Sequence, residues 1–226
     1  MPILNSIPST FDIQSLMKSA HVRRNGHDEV EFQALVEKAQ EIGRPKAIYR
    51  EAFIEDRQDD SIRIDGITFS SRMLRLNLDR VERVFAYVAT CGQEIDQFVP
   101  PSDDILRQYW WEAIKAQLLN NASTSLMTHL CHRYALNSIA SMNPGSGDAD
   151  VWPIEQQKEL FALLGDVENQ IGVKLNASFL MIPNKSVSGI VFPTEVGFRS
   201  CQVCHREDCP SRSAPFDPML WEQIQA

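Results

Sequence analysis

Between Ser102 and Tyr134 the chain contains neither proline nor glycine. Over that stretch Leu106, Trp110, Ala113, Ile114, Leu118, Ala122, Leu126 and Leu130 recur at the three- and four-residue spacing of one helical face. A run of that length with no breaker predicts one long central helix. Its aromatic triplet, Tyr109-Trp110-Trp111, reads as core packing rather than as a ligand-stacking platform.

The remaining patterns are shorter. Asp12 suits the cap of a turn carrying Ile13, Leu16 and Met17. Asp28 suits the cap of a helix with Val30, Leu35, Val36, Ala39 and Ile42 on one face and Gly43 as its stop. Residues 47–55 read as a strand. Ile62-Arg63-Ile64, Asp65-Gly66 and Ile67-Thr68-Phe69 predict a hairpin, because Asp-Gly suits the two left-handed positions of a type I′ turn. Ser70 or Ser71 can open a helix toward Leu78, and residues 84–89 form a buried strand running into Thr90-Cys91-Gly92. After the loop at 143–148, Trp152-Pro153 starts a helix that ends before Gly165. Residues 174–182 and 185–192 alternate as two strands around Pro183-Asn184. The expected architecture is a single α+β domain over residues 1–198, with a mostly antiparallel sheet and a cysteine-bearing appendage over residues 199–226.

Composition narrows the class of function. The 226 residues carry 22 basic and 30 acidic side chains, a formal charge of −8. Nucleic-acid binding needs a basic face, and no basic cluster is longer than Arg23-Arg24. The partners expected are proteins or small molecules. No apolar run is long enough to cross a membrane and no secretory signal is visible at Met1-Pro2-Ile3-Leu4-Asn5, so a cytoplasmic location is expected.

The sharpest local signal is Cys201-Gln202-Val203-Cys204-His205-Arg206-Glu207-Asp208-Cys209. Two thiols separated by two residues can face one ion from a tight turn, and thiolates prefer zinc or iron–sulfur clusters to hard cations. A metal site is therefore expected at Cys201, Cys204 and Cys209. A closed site needs a fourth ligand, for which His205, Cys91 and Cys131 are candidates. Cys91 is preferred because it ends a strand beside a glycine, where backbone could approach a cluster. Spacing does not choose between zinc and an iron–sulfur cluster. Reduced or redox-sensing thiols on a mobile tail are the alternative.

Other chemistry is hard to find. His129 and His132 lie three apart on the long helix without an accompanying carboxylate, which suits surface or satisfied core histidines. No nucleophile elbow, Walker loop, dinucleotide fingerprint or His-Glu-x-x-His is present.

From Asn143 to Phe192 the chain resembles the activation domain of cobalamin-dependent methionine synthase. The matching features are Pro144-Gly145, Pro153, Ile171-Gly172-Val173-Lys174-Leu175, Ser178-Phe179 with Met181 and Pro183, and Ser186-Val187-Ser188-Gly189 followed by Phe192. The strand ending at Thr90-x-Gly92 and the long helix extend the resemblance more loosely. The run from Cys201 to Arg212 is similar to a terminal pattern in stand-alone members of that family.

The resemblance implies a curved α+β domain with a twisted antiparallel sheet. It also implies a role in returning inactive cob(II)alamin to a methylated form, with an electron from a donor protein and a methyl group from S-adenosylmethionine. By the same resemblance, Ser141, Asn143, Pro144, Gly145 and Ser146 occupy the cofactor-binding loop. The family has an arginine at the position of Ser141 and a tyrosine at that of Ser146, and it presents a glutamate from the long helix. Here no acidic residue lies between Glu112 and Asp148. Serine offers neither a bidentate fork nor a packing ring, so S-adenosylmethionine binding is expected to be lost or altered.

The function expected is that of an accessory protein in reductive activation of a corrinoid methyltransferase such as methionine synthase. The cobalamin is presented by that partner, and electron transfer would run through a cysteine-ligated cluster. Two alternatives remain: a corrinoid-protein-binding module with structural zinc, and a subunit that still binds S-adenosylmethionine.

Overall fold

The computed structural model describes all residues except 25, 101–103, 149, 196, 211 and 226. Its strands are β1 (Ile3–Leu4), β2 (Lys46–Arg57), β3 (Ser61–Ile64), β4 (Ile67–Ser70), β5 (Arg83–Thr90), β6 (Ile139–Met142), β7 (Lys174–Leu175), β8 (Met181–Ile182) and β9 (Ser186–Pro193). Its helices are α1 (Ile13–Ser19), α2 (His27–Ile42), α3 (Arg72–Asn77), α4 (Gln93–Asp96), α5 (Ile105–Tyr134), α6 (Gln157–Leu164), α7 (Val167–Ile171) and α8 (Pro218–Gln225).

The main sheet runs β4-β3-β2-β5-β9-β6, with β1 added to β2, and every pairing is antiparallel. Strand β5 is buried from Val84 to Thr90 because both faces of the sheet are covered. Val84, Ala86 and Val88 pack with α3, α6 and α7, through Leu74, Leu160 and Ile171. Phe85, Tyr87 and Ala89 face the opposite way, toward Ala122, Leu126 and Leu130 of α5. A third apolar cluster joins the first half of α5 to α1, α2 and α4. This is one α+β domain built on an antiparallel sheet and a long helix.

Local chemistry accounts for the element ends. Asp12 caps α1 by accepting from Ser15 N at 3.1 Å, and Ser71 caps α3 by accepting from Leu74 N at 3.0 Å. Asp65 and Gly66 both have positive φ, 43° and 81°, as the Asp-Gly hairpin requires.

Several expectations are corrected. The described part of α5 begins after Asp104, whose carboxylate accepts from Leu106 and Arg107 amides; the expected start at Ser102 lies outside the described residues. Tyr109 is 49% exposed, so only Trp110 and Trp111 of the triplet enter the core. Gly26, not Asp28, is the cap of α2, and Val30 is 68% exposed; Phe32, Val36 and Ala39 form the buried stripe. Residues 174–182 are not one strand. The Asn176 side chain accepts from the Ser178 and Leu180 amides and bends the chain, leaving two-residue strands β7 and β8 paired on either side.

Candidate functional site

The loop from Asn143 to Asp148 leaves the end of β6 and is built inward. Asn143 Nδ2 donates to Tyr87 Oη at 2.8 Å and to the Ser188 carbonyl at 2.7 Å. Tyr87 is buried on β5, and burial holds its hydroxyl pKa above the ordinary range although contacts with Asn143 and Ser141 pull the other way. Gly145 has φ +77° and donates to the Trp152 carbonyl at 2.8 Å; Ser146 N donates to the Asn143 carbonyl at 3.1 Å. Pro144 is buried, whereas Gly145 is exposed. The loop is closed on itself and on β5 and β9. Ser141 and Asn143 spend their polar atoms on the scaffold, and the exposed part of the loop is mainly glycine backbone.

Gly189 explains part of the Ser-Val-Ser-Gly run. A Cβ there would stand 2.3 Å from the Met142 carbonyl oxygen and 2.5 Å from Asn143 Nδ2, so only hydrogen fits between β9 and the loop. Ser188 Oγ donates to Gln157 Oε1 at 2.6 Å, tying β9 to α6.

The cysteine segment lies against this loop. Residues Ser200–Val203 form a single 3₁₀ turn, Cys204 N donates to the Cys201 carbonyl at 3.4 Å, and Val203 is fully buried in the main core. Helix α8 adds Leu220, Trp221 and Ile224 to the same core. The segment is therefore packed into the domain rather than appended to it. His205 reaches back to Asp148: its amide donates to one carboxylate oxygen at 3.3 Å, and its Nδ1 is hydrogen-bonded to the other. Its ring sits 4.5 Å from both Phe216 and Trp221.

Arg212 organises the turn. Its guanidinium donates to the carbonyls of Cys201, Cys204, Arg206 and Ala214, at 2.7–3.1 Å. Cys201 Sγ accepts from Ser213 N and Ser213 Oγ at 3.4 and 3.5 Å, and these two contacts, with the Arg212 charge, hold its thiol below the ordinary range. A cavity of about 280 Å³ opens here, lined by Cys204, His205, Glu207, Arg212, Pro215 and Phe216.

Cys91 lies elsewhere. It is fully buried in the apolar cluster with Ile95, Trp110 and Leu118, and its sulfur faces the Gly92 carbonyl at 3.6 Å. Burial, with the Asp96 carboxylate second, pushes its thiol up to about 12. Gly92 serves the backbone: φ is +97°, and a Cβ would stand 2.3 Å from the Arg44 carbonyl oxygen. That close approach is to a neighbouring chain segment, not to a cluster. Cys131 stays on α5, half-buried. His129 is a satisfied histidine, with Nε2 3.0 Å from Tyr49 Oη.

Among the described residues, no group of three or more His, Cys, Asp or Glu side chains is gathered to hold a metal ion. The four expected ligands are not brought together: Cys91 is sealed in the apolar cluster with Ile95, Trp110 and Leu118, apart from the turn that carries Cys201, Cys204 and Cys209. Sequence reasoning missed Asp148, Arg212 and Tyr87; the arginine three residues after Cys209 was the one visible signal among them.

No curated protein matches the chain. The family described as vitamin B12 dependent methionine synthase, activation domain, matches residues 132–207. A crystal structure of the MetH reactivation domain bound to AdoHcy is similar in fold, with a TM-score of 0.58 at 16% identity, covering 88% of this chain and 80% of that one. Residues 132–207 thus carry the signature of the vitamin B12 dependent methionine synthase activation domain, on a chain that has the fold of the MetH reactivation domain.

Proposed function

We propose that this chain serves the reductive reactivation of a cobalamin-dependent methyltransferase, docking on the corrinoid-bearing partner through the loop from Asn143 to Asp148. The observation that carries this reading is the position of the family match: residues 132–207 contain β6, that loop and β9, and they end within the cysteine segment that touches it. The acidic balance of the chain suits a protein partner rather than a nucleic acid. Among the described residues no helix is long and apolar enough to cross a membrane.

The finer assignments within this reading differ in their support. Ser141 and Asn143 hold the loop in place through Tyr87, Ser188 and β9, so their role is positioning. Pro144, Gly145 and Ser146 shape the turn that meets the partner. S-adenosylmethionine, when bound, supplies the methyl group. The MetH reactivation domain has been crystallised with the related AdoHcy, but in this chain the inward use of Ser141 and Asn143 leaves the loop no charged fork for a carboxylate. An iron–sulfur or zinc centre rests on the spacing of Cys201, Cys204 and Cys209 alone, and no step of this reading runs through one. Residues 199–226 act as part of the domain face around the loop, with a separate electron donor protein supplying the reducing equivalent.

The test is a reactivation assay. A corrinoid methyltransferase held in its cob(II)alamin form is mixed with a reductant and S-adenosylmethionine, with and without this chain, and the visible spectrum is followed. Faster return to the methylated cofactor in the presence of the chain is expected. An unchanged rate, with no complex on gel filtration, rejects the reading.

A further inference from the structure

We propose that Cys201 and Cys204 form a reversible dithiol–disulfide pair that exchanges with small disulfides, Cys201 attacking and Cys204, which lines the cavity beside Arg212, resolving. This goes beyond the reactivation reading and stands or falls separately from it.

The backbone sets the separation. Cys201 and Cys204 are three residues apart across a 3₁₀ turn closed by the 3.4 Å contact from Cys204 N to the Cys201 carbonyl. A rise of about 2 Å per residue places such ends about 6 Å apart. Disulfides bridge Cα atoms about 4.4–6.8 Å apart, so the spacing of this pair falls within the range that a disulfide spans.

The sulfur environments differ, which assigns the roles. Two donors from Ser213 point at Cys201 Sγ, and the Arg212 guanidinium is bonded to the carbonyl of the same residue. Cys204 lines the cavity, with His205, Glu207 and Phe216 around it. Both thiols are partly exposed. Outside the segment, Cys91 is sealed in a different apolar cluster and Cys131 stands on α5, which leaves Cys209 as the competing partner that the experiment below removes.

Four carbonyl contacts from Arg212 and the burial of Val203 anchor the turn through groups other than the two sulfurs.

The exchange balances as follows. The Cys201 thiolate attacks one sulfur of a disulfide RS–SR, forming a mixed disulfide and releasing RS⁻. The Cys204 thiolate then attacks Cys201 Sγ, forming the internal disulfide and releasing the second RS⁻. Two electrons pass from the pair to the disulfide, the two thiol protons leave to solvent or to the released thiolates, and a dithiol reverses both steps.

The experiment uses the reduced full chain, glutathione disulfide as probe, and intact-mass and peptide mass spectrometry. Wild type and Cys209→Ser should both end with a Cys201–Cys204 bond and no glutathione retained on either of those two sulfurs. Cys204→Ser should lose the internal bond and hold one glutathione on Cys201. Circular dichroism checks that each variant keeps its fold. The proposal is overturned if wild type accumulates glutathione adducts without an internal bond, or if Cys209→Ser also stops at the adduct. It is equally overturned if the reduced protein carries stoichiometric zinc or iron that must be chelated before any thiol reacts.

Discussion

His205, in the cysteine segment, is hydrogen-bonded through Nδ1 to the carboxylate of Asp148 in the loop that follows β6. The contact spans 57 residues of sequence and joins the two parts of the chain that the functional reading brings together. Asp148→Ala removes both its contacts with His205, leaving the segment held by Val203, α8 and Arg212. Because both contacts are exposed to solvent, together they contribute about 1 kcal/mol. Trypsin cleavage after Arg199, Arg206 or Arg212 should accelerate about fivefold, the factor that such an energy produces, while the main thermal transition stays in place. Time-resolved proteolysis read by mass spectrometry checks this; an unchanged cleavage rate would show that the Asp148 contact does not secure the segment.

Gly189→Ala is expected to be severe. Its methyl group would meet the Met142 carbonyl oxygen and the Asn143 amide, both belonging to the β6–loop junction, and backbone cannot step aside as a flexible side chain can. A loss of about 2 kcal/mol or more is expected, read as a lower urea midpoint. On the docking proposed for the loop after β6, corrinoid-partner binding should weaken in parallel, because the displaced atoms belong to that loop.

Tyr87→Phe tests the same junction without crowding it. The hydroxyl is buried and accepts from Asn143, so its removal strands one Asn143 hydrogen while the Ser188 carbonyl keeps the other. The cost expected is about 1–3 kcal/mol, seen as a lower denaturant midpoint at unchanged slope.

How legible these features were in the sequence depends on the range over which their causes act. The α5 helix, the Asp65-Gly66 hairpin and strand β5 follow from periodicity or from two adjacent residues, and all three stand in the structure. Residues 174–182 looked like a strand because apolar residues alternate there, yet one local side chain, Asn176, captured two amides and turned the backbone. The site was less legible. His205–Asp148 and Asn143–Tyr87 are contacts across 57 and 56 residues, and no spacing rule reports them. Cys91 looked like a ligand because it precedes a glycine, but that glycine serves the approach to Arg44 and the thiol serves the core.

Lys115 is a second residue whose place was hidden by its type. Its side chain is 7% exposed and pairs with Asp96 at 3.0 Å and Glu112 at 2.5 Å. Burial alone would lower its pKa, but contacts with those two carboxylates outweigh that effect and hold it above the ordinary value. Lys115→Met leaves Asp96 without this cation, while Glu112 keeps Lys185 at 3.1 Å. Removing one partner of a fully buried pair costs about 3–5 kcal/mol; with Asp96 and Glu112 partly solvated, about 2 kcal/mol is expected in equilibrium unfolding.

The last prediction concerns alkaline pH. The Cys91 thiol is raised from its ordinary 9.0 to about 12, first by burial and then by Asp96. The folded state therefore keeps this proton where the unfolded chain releases it. A raised folded pKa contributes stability that is complete below pH 9 and is lost progressively as pH rises toward 12. Tyr49 is raised from 10.0 to about 12, mainly by burial, so its own loss begins one unit later. Between pH 9 and 10 the decline belongs chiefly to Cys91 and should amount to about 1 kcal/mol. Cys91→Ala starts from a lower stability because it leaves a small void, but it should lack that part of the slope, so the gap between it and wild type narrows over the interval. Urea unfolding at half-unit pH steps makes the measurement, and a parallel pair of curves would place the Cys91 proton on a group already shared with solvent. Alkylation gives an independent reading: in the native protein iodoacetamide should label the segment thiols and leave Cys91 untouched until the chain unfolds.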